Sequence, residues 1–118
     1  LSGYLILAQK LYEEGSEFAQ GWNFGPNDED CKSVEYVLES LIQHWGGNAD
    51  WRKDTNSNPH EANLLKLDCS KSQNKLGWKP TLNLDETLNS IVKWHKCYNR
   101  GGNIKDECIN QILNYIDR

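Results

Sequence analysis

Methionine is missing altogether from this chain, and because an unprocessed translation product begins with one, a sequence that opens at Leu1 is expected to be a fragment, a processed chain or an excised domain. No apolar run approaches the roughly 18 to 20 residues that a membrane span needs, and no basic segment precedes an apolar one as in a secretory leader. A soluble, cytoplasmic protein with no membrane partner is the expectation. Lys and Arg form no run, and the net charge is -4. A nucleic-acid backbone needs a concentrated basic face, so no nucleic-acid partner is expected. The four cysteines, Cys31, Cys69, Cys97 and Cys108, make no C-x-x-C pair and stand at no metal-ligand spacing from the three histidines. Free, mostly buried thiols and no metal follow. Cys97 and Cys108 fall near the junction of the last two helices, but a reducing compartment argues against a bridge between them.

What is present is one domain's worth of chain: 118 residues, 37% hydrophobic, with five Trp and five Tyr. A mean hydropathy of -0.78 implies a well-solvated surface, or a domain that leans on something else. Ser2 is a candidate cap for a first helix whose apolar stripe is Tyr4, Leu5, Ala8, Leu11 and Tyr12, ended by Gly15. A second helix is expected from Ser33 to Trp45, where Val34, Val37, Leu38, Leu41, Ile42 and Trp45 keep helical spacing. Three short strands are read at Gly21 to Pro26, at Asp50 to Asp54 around Trp51, and at Ala62 to Leu67.

The richest stretch follows. Ser70 with Gln73 makes a capping box, Gly77 stands where a left-handed residue ends a helix, and Pro80 stops it from resuming. Asn83 caps a further helix with Asp85 and Glu86 in its first turn, and Leu84, Leu88, Ile91, Val92, His95 and Tyr98 lie along one face. Asn103 caps the last, with Ile104, Cys108, Ile109, Ile112, Leu113 and Ile116 facing inward. The fold class is helix-rich α+β, a single domain over 1–118.

The order D-x-S-K-x-x-x-x-L-G-W-x-P from Asp68 to Pro80, followed by an amphipathic helix, resembles the C-terminal region of extended short-chain dehydrogenase/reductases acting on nucleotide sugars. Within that superfamily the chain is most similar to the CDP-glucose 4,6-dehydratases. Leu1-Ser2-Gly3-Tyr4-Leu5, Trp22-Asn23-Phe24-Gly25-Pro26 and His60-Glu61-Ala62 carry the likeness, in that order. The resemblance implies a small C-terminal substrate-binding domain of an α/β Rossmann parent. The parent oxidises the sugar at C4 with NAD, eliminates water across C5 and C6 and returns the hydride, making CDP-4-keto-6-deoxyglucose. It is expected to be a homo-oligomer.

The same resemblance makes an absence informative. The family binds NAD on a glycine-rich turn and works with a Y-x-x-x-K pair, both in an N-terminal Rossmann half. This chain has no such turn, and none of Tyr4, Tyr12, Tyr36, Tyr98 and Tyr115 is followed by a Lys four residues on. No catalytic residue is therefore expected here, and the N-terminal half is expected as a partner. Candidate nucleotide-binding residues are Asn58, His60 and Glu61 on the loop stiffened by Pro59, together with Tyr4 and Arg52. Relatives of other nucleotide specificity carry an Arg near Asn58 and this chain does not, which leaves Arg52, Lys53 or the other half to neutralise a diphosphate. Asn27, Asp28, Glu29 and Asp30 either border a ligand crevice or serve the N-terminus of the second helix. Asp85-Glu86-Thr87 has the look of a catalytic acid pair, but capping accounts for it. The alternatives are the same region of another nucleotide-sugar dehydratase or 4-epimerase, and a non-catalytic binding domain of shared ancestry.

Overall fold

The computed structural model describes residues 1–54 and 66–118. Among them are α1 (Ser2–Glu14), α2 (Val34–Trp45), α3 (Ser70–Leu76), α4 (Leu84–Asn99) and α5 (Ile104–Ile116), with 3₁₀ turns at Gly15–Phe18 and Asp28–Asp30. Their ends follow local chemistry. The Ser33 hydroxyl accepts from the Tyr36 N–H at 3.2 Å and starts α2. Asn83 and Glu86 form a complete capping box at α4, and Asn103 accepts from the Asp106 N–H at α5. Gly77, at φ 65°, ends α3 in the left-handed region that glycine tolerates best.

Two expected caps are not made. Ser70 is the first residue inside α3, and its N–H donates to Asp68 Oδ1 at 2.9 Å. A carboxylate two residues upstream is a stronger acceptor than the Ser70–Gln73 pair, and it faces the positive end of the helix. The Ser70 hydroxyl and backbone N–H in turn hold the Asp68 carboxyl below the usual carboxylate range. Ser2 likewise lies within α1, behind Leu1 as N-cap. Its Oγ accepts from Trp78 Nε1 at 3.0 Å and from the Tyr115 hydroxyl at 2.9 Å.

Packing divides into two groups. The first joins α1, α3 and the intervening extended segment around Phe18, Leu76 and Trp78, with Ile6, Leu7, Trp22 and Phe24 against them. Phe24 is gripped edge-to-face by Tyr4 at 5.4 Å and by Trp78 at 5.1 Å. Beneath it Gly3 is the buried residue of α1, with no room for a side chain. In the second group α4 packs against both α2 and α5, burying Leu88 and Val92.

The described residues contain no β-strand, which corrects the α+β expectation. Residues 21–26 do lie beside residues 67–69, but side chains occupy their backbone groups. Asn23 Nδ2 donates to the Asp68 carbonyl at 3.1 Å, and Ser72 Oγ donates to the Asn23 carbonyl at 2.7 Å. A strand needs a ladder, and none forms. Residues 50–54 are irregular. The third expected strand falls largely outside the described residues, and its last two, Lys66 and Leu67, are irregular.

Three apolar stripes also differ from expectation. On α1 the expected stripe faces outward: Tyr4, Leu5, Leu11 and Tyr12 are exposed, and Gly3, Ile6 and Leu7 face the core. On α5, Ile109, Ile112, Leu113 and Ile116 are exposed, while Ile104, Cys108, Gln111 and Tyr115 are half-buried. On α4, Leu84, Leu88 and Val92 are covered but Ile91, His95 and Tyr98 are not. Periodicity finds an apolar face without saying what covers it. All four cysteines are free, yet only Cys69 is buried, so the expectation of mostly buried thiols is corrected too. Cys97 lies against Gly102, and Cys108 Sγ accepts from Trp94 Nε1 at 3.3 Å.

Candidate functional site

Asn58, His60 and Glu61, with Pro59, lie outside the described residues, so the structure supplies the two ends between which they run. The downstream end is pinned to the 23–28 segment. Lys66 pairs with Asp28 at 2.6 Å, Leu67 packs against Gly25, and the Asp68 carbonyl takes the Asn23 amide. The Asp28 carboxylate raises the Lys66 ammonium above its ordinary value, chiefly through their hydrogen bond. Of the four residues from Asn27 to Asp30, two have side-chain partners beyond the turn: Asp28 holds Lys66, and Asp30 Oδ1 accepts from the Leu84 N–H at 3.1 Å. Asp28 thus serves the loop anchor and Asp30 the start of α4, while the side-chain cap of α2 is Ser33.

The upstream end enters over α2 and α4. Trp51 lies in an open groove of about 390 Å³ that it shares with Leu38, Leu41, Ile42, Trp45 and His95. Arg52 follows immediately and is exposed. The groove escaped sequence reasoning, which spent Trp51 on a strand. Its signal was the pair of tryptophans Trp45 and Trp51, placed on either side of the Gly46-Gly47 helix stop.

Tyr4 sits on α1 with its ring against Phe24, on the segment that anchors the downstream end, whereas Arg52 follows Trp51 at the upstream end. The acid pair of α4 has structural partners. Glu86 completes the capping box and binds Arg118 at 2.7 Å, and Asp85 contacts His44 Nε2 at 2.8 Å. Arg118, then the Asn83 N–H, hold the Glu86 carboxyl below its ordinary value. Trp78 is buried and Trp94 stacks on Tyr98 at 5.6 Å, which makes both packing residues.

Among the described residues no three His, Cys, Asp or Glu side chains are grouped to hold a metal ion, and no helix is long and apolar enough to cross a membrane. Before α5, a Cβ on Gly102 would meet Cys97 Sγ at 2.6 Å, and Asn103 caps the helix.

No family model matches the chain. Over 116 residues, 98% of its length, it is 54% identical to the CDP-glucose 4,6-dehydratase of Salmonella typhimurium. The match falls on the C-terminal part of that enzyme, and the chain spans 32% of its length.

Proposed function

We propose, from this relationship to the C-terminal part of a CDP-glucose 4,6-dehydratase, that the chain is the nucleotide-sugar-binding portion of an NAD-dependent enzyme of that activity. The observation that carries the reading is 54% identity sustained across 98% of the chain. Identity at that level over both packing groups goes with a shared fold and a shared ligand class. In this reading NAD and the catalytic groups belong to the preceding part of a longer protein. NAD supplies the hydride chemistry there, and the residues of this chain bind and orient.

Their contribution is remote binding. Contacts to the nucleotide, made away from the reacting carbons, fix the sugar in place and convert binding energy into orientation. Asn58, His60 and Glu61 are the proposed contacts, and Arg52 is the proposed cation for the diphosphate. Tyr4 is a further proposed contact, on α1 beside the Phe24 segment to which the downstream end of the loop is pinned.

The test is thermal denaturation of the natural gene product with CDP, GDP and dTDP, and with the corresponding sugar nucleotides. A ligand at a hundredfold its Kd stabilises by about 2.7 kcal/mol. CDP-glucose should raise Tm by several degrees and GDP or dTDP should not, and His60→Ala and Arg52→Ala should each weaken the shift. Preference for GDP or dTDP would move the protein to another nucleotide-sugar dehydratase or 4-epimerase. Absence of any nucleotide effect would leave a binding domain of shared ancestry.

A further inference from the structure

Two parts of the proposed site stand far apart in sequence, Tyr4 on α1 and the residues from Asn58 to Glu61. One short extended segment, residues 23–28, touches the first and the chain that follows the second. Phe24 takes the Tyr4 ring at 5.4 Å. On either side of Phe24 the segment is tied three times to residues 66–69. Asn23 Nδ2 donates to the Asp68 carbonyl at 3.1 Å, and Asp28 pairs with Lys66 at 2.6 Å. Between them Gly25 approaches so closely that a Cβ on it would stand 3.3 Å from Cys69 Sγ and 3.5 Å from Leu67. The pair of Asp28 with Lys66 is the tie nearest the loop. Glu61 stands five residues before Lys66. Five residues reach at most about 18 Å when fully extended, so fixing Lys66 limits how far the proposed contacts can stand from the segment.

Stability is not what this pair supplies. Its side chains are 47% and 81% exposed, and an ion pair so open to solvent adds little, because water weakens the attraction and two side chains must be held still. Direct contact with the ligand does not suit Asp28 either. A carboxylate repels a diphosphate, and Glu29 and Asp30 beside it carry the same sign. What remains is placement. Contacts on a loop bind more tightly when the loop is held in its bound geometry beforehand, because less ordering is left for the ligand to impose. We infer that Asp28 is a positioning residue of the proposed nucleotide site: acting through Lys66, it fixes where the loop bearing Asn58, His60 and Glu61 rejoins the segment on which Tyr4 rests. The inference rests on the functional reading above, which it deepens.

The experiment measures the Kd for CDP-glucose by calorimetry on the natural gene product and on its Asp28→Lys, Lys66→Asp and doubly swapped variants, with the Tm of each unliganded protein. Each single reversal should raise Kd about fivefold, and the double swap, which restores both the pair and the net charge, should bring it back to within about twofold. Unliganded Tm values should stay within about 2 °C of one another, and a larger fall accompanying the rise in Kd would make the pair a structural tie and overturn the inference. The sign of the Asp28→Lys effect separates placement from field. Added positive charge by itself attracts an anionic ligand and lowers Kd, whereas a lost anchor raises it. A Kd for Asp28→Lys equal to or below that of the unsubstituted protein overturns the inference and leaves the functional reading standing. So does a loss that the double swap fails to restore, because Asp28 would then act apart from Lys66. A gene product that binds no nucleotide removes the functional reading and the inference with it.

Discussion

A single missing methyl group organises the first core. Gly3 lies under Phe24, and a Cβ there would stand 2.3 Å from the ring's Cδ1. The ring has little freedom to retreat, since Tyr4 and Trp78 hold it from two sides. Replacing a helical glycine by alanine gains about 1 kcal/mol of propensity, whereas overpacking costs about 1 to 3 kcal/mol. A contact this short puts the cost at the upper end, and the clash wins. Gly3→Ala should lower stability by about 1 to 2 kcal/mol in urea unfolding. Phe24→Leu in the same chain should relieve part of that loss, so that the double variant is more stable than the two single losses added together. A stabilising Gly3→Ala would show that the ring is free to move.

At the scale of the element, each helix start is a small electrostatic device, and α4 has the most complete one. Glu86 receives the Asn83 N–H and the Arg118 guanidinium, and both favour its charged form. Its folded-state pKa is therefore depressed. A depressed carboxylate contributes stability that is fully present above the ordinary glutamate value of about 4.3 and is lost as the pH falls through the lower, folded value. Glu86→Gln keeps a side-chain acceptor for the cap but has no charge to titrate. Urea midpoints of the parent chain should exceed those of Glu86→Gln at pH 7, and the gap should close as the pH falls below about 4. A gap that persists into acid would mean that shape rather than charge holds the cap. The α5 helix shows the limit of such local devices. Asn103 starts it as the sequence indicates, yet its Ile109, Ile112, Leu113 and Ile116 stripe faces away from α4 into solvent.

The whole molecule is a plate rather than a ball, with extents of 52 × 41 × 21 Å and a radius of gyration of 17.8 Å. A compact chain of this length has a radius of about 13 to 14 Å. Polar contacts tie the two packing groups together: Ser2 Oγ receives Trp78 Nε1 and the Tyr115 hydroxyl, and Thr81 Oγ1 donates to that same hydroxyl at 3.0 Å. Ser2→Ala strands the indole N–H of the buried Trp78 and cuts the link to α5, a loss of about 1 to 3 kcal/mol. Tyr115→Phe removes the link but leaves Trp78 paired with Ser2, so it should cost less. Chemical unfolding of the two variants reads this order directly, and the reverse order would place the main role of Ser2 elsewhere.

Helix positions, the caps at Asn83 and Asn103 and the stop at Gly77 were legible from the amino-acid sequence, because each depends on residues within about four of one another. So was the relationship to the dehydratases, which an ordered set of short motifs carries. Of the proposed site, the loop from Asn58 to Glu61 is proposed from resemblance alone and lies outside the described residues, while the groove beside Trp51 and the Lys66–Asp28 anchor were not legible. Lys66 and Asp28 are distant in sequence, and no local pattern joins them. The tertiary structure alone decided that Ser2 is a junction and not a cap, that residues 21–26 are extended without a ladder, and that the apolar stripe of α1 faces outward. The reason is common to all three. Periodicity and capping are set by the chain's near neighbours, whereas the partner of a face or a hydroxyl is chosen by residues that only folding brings near.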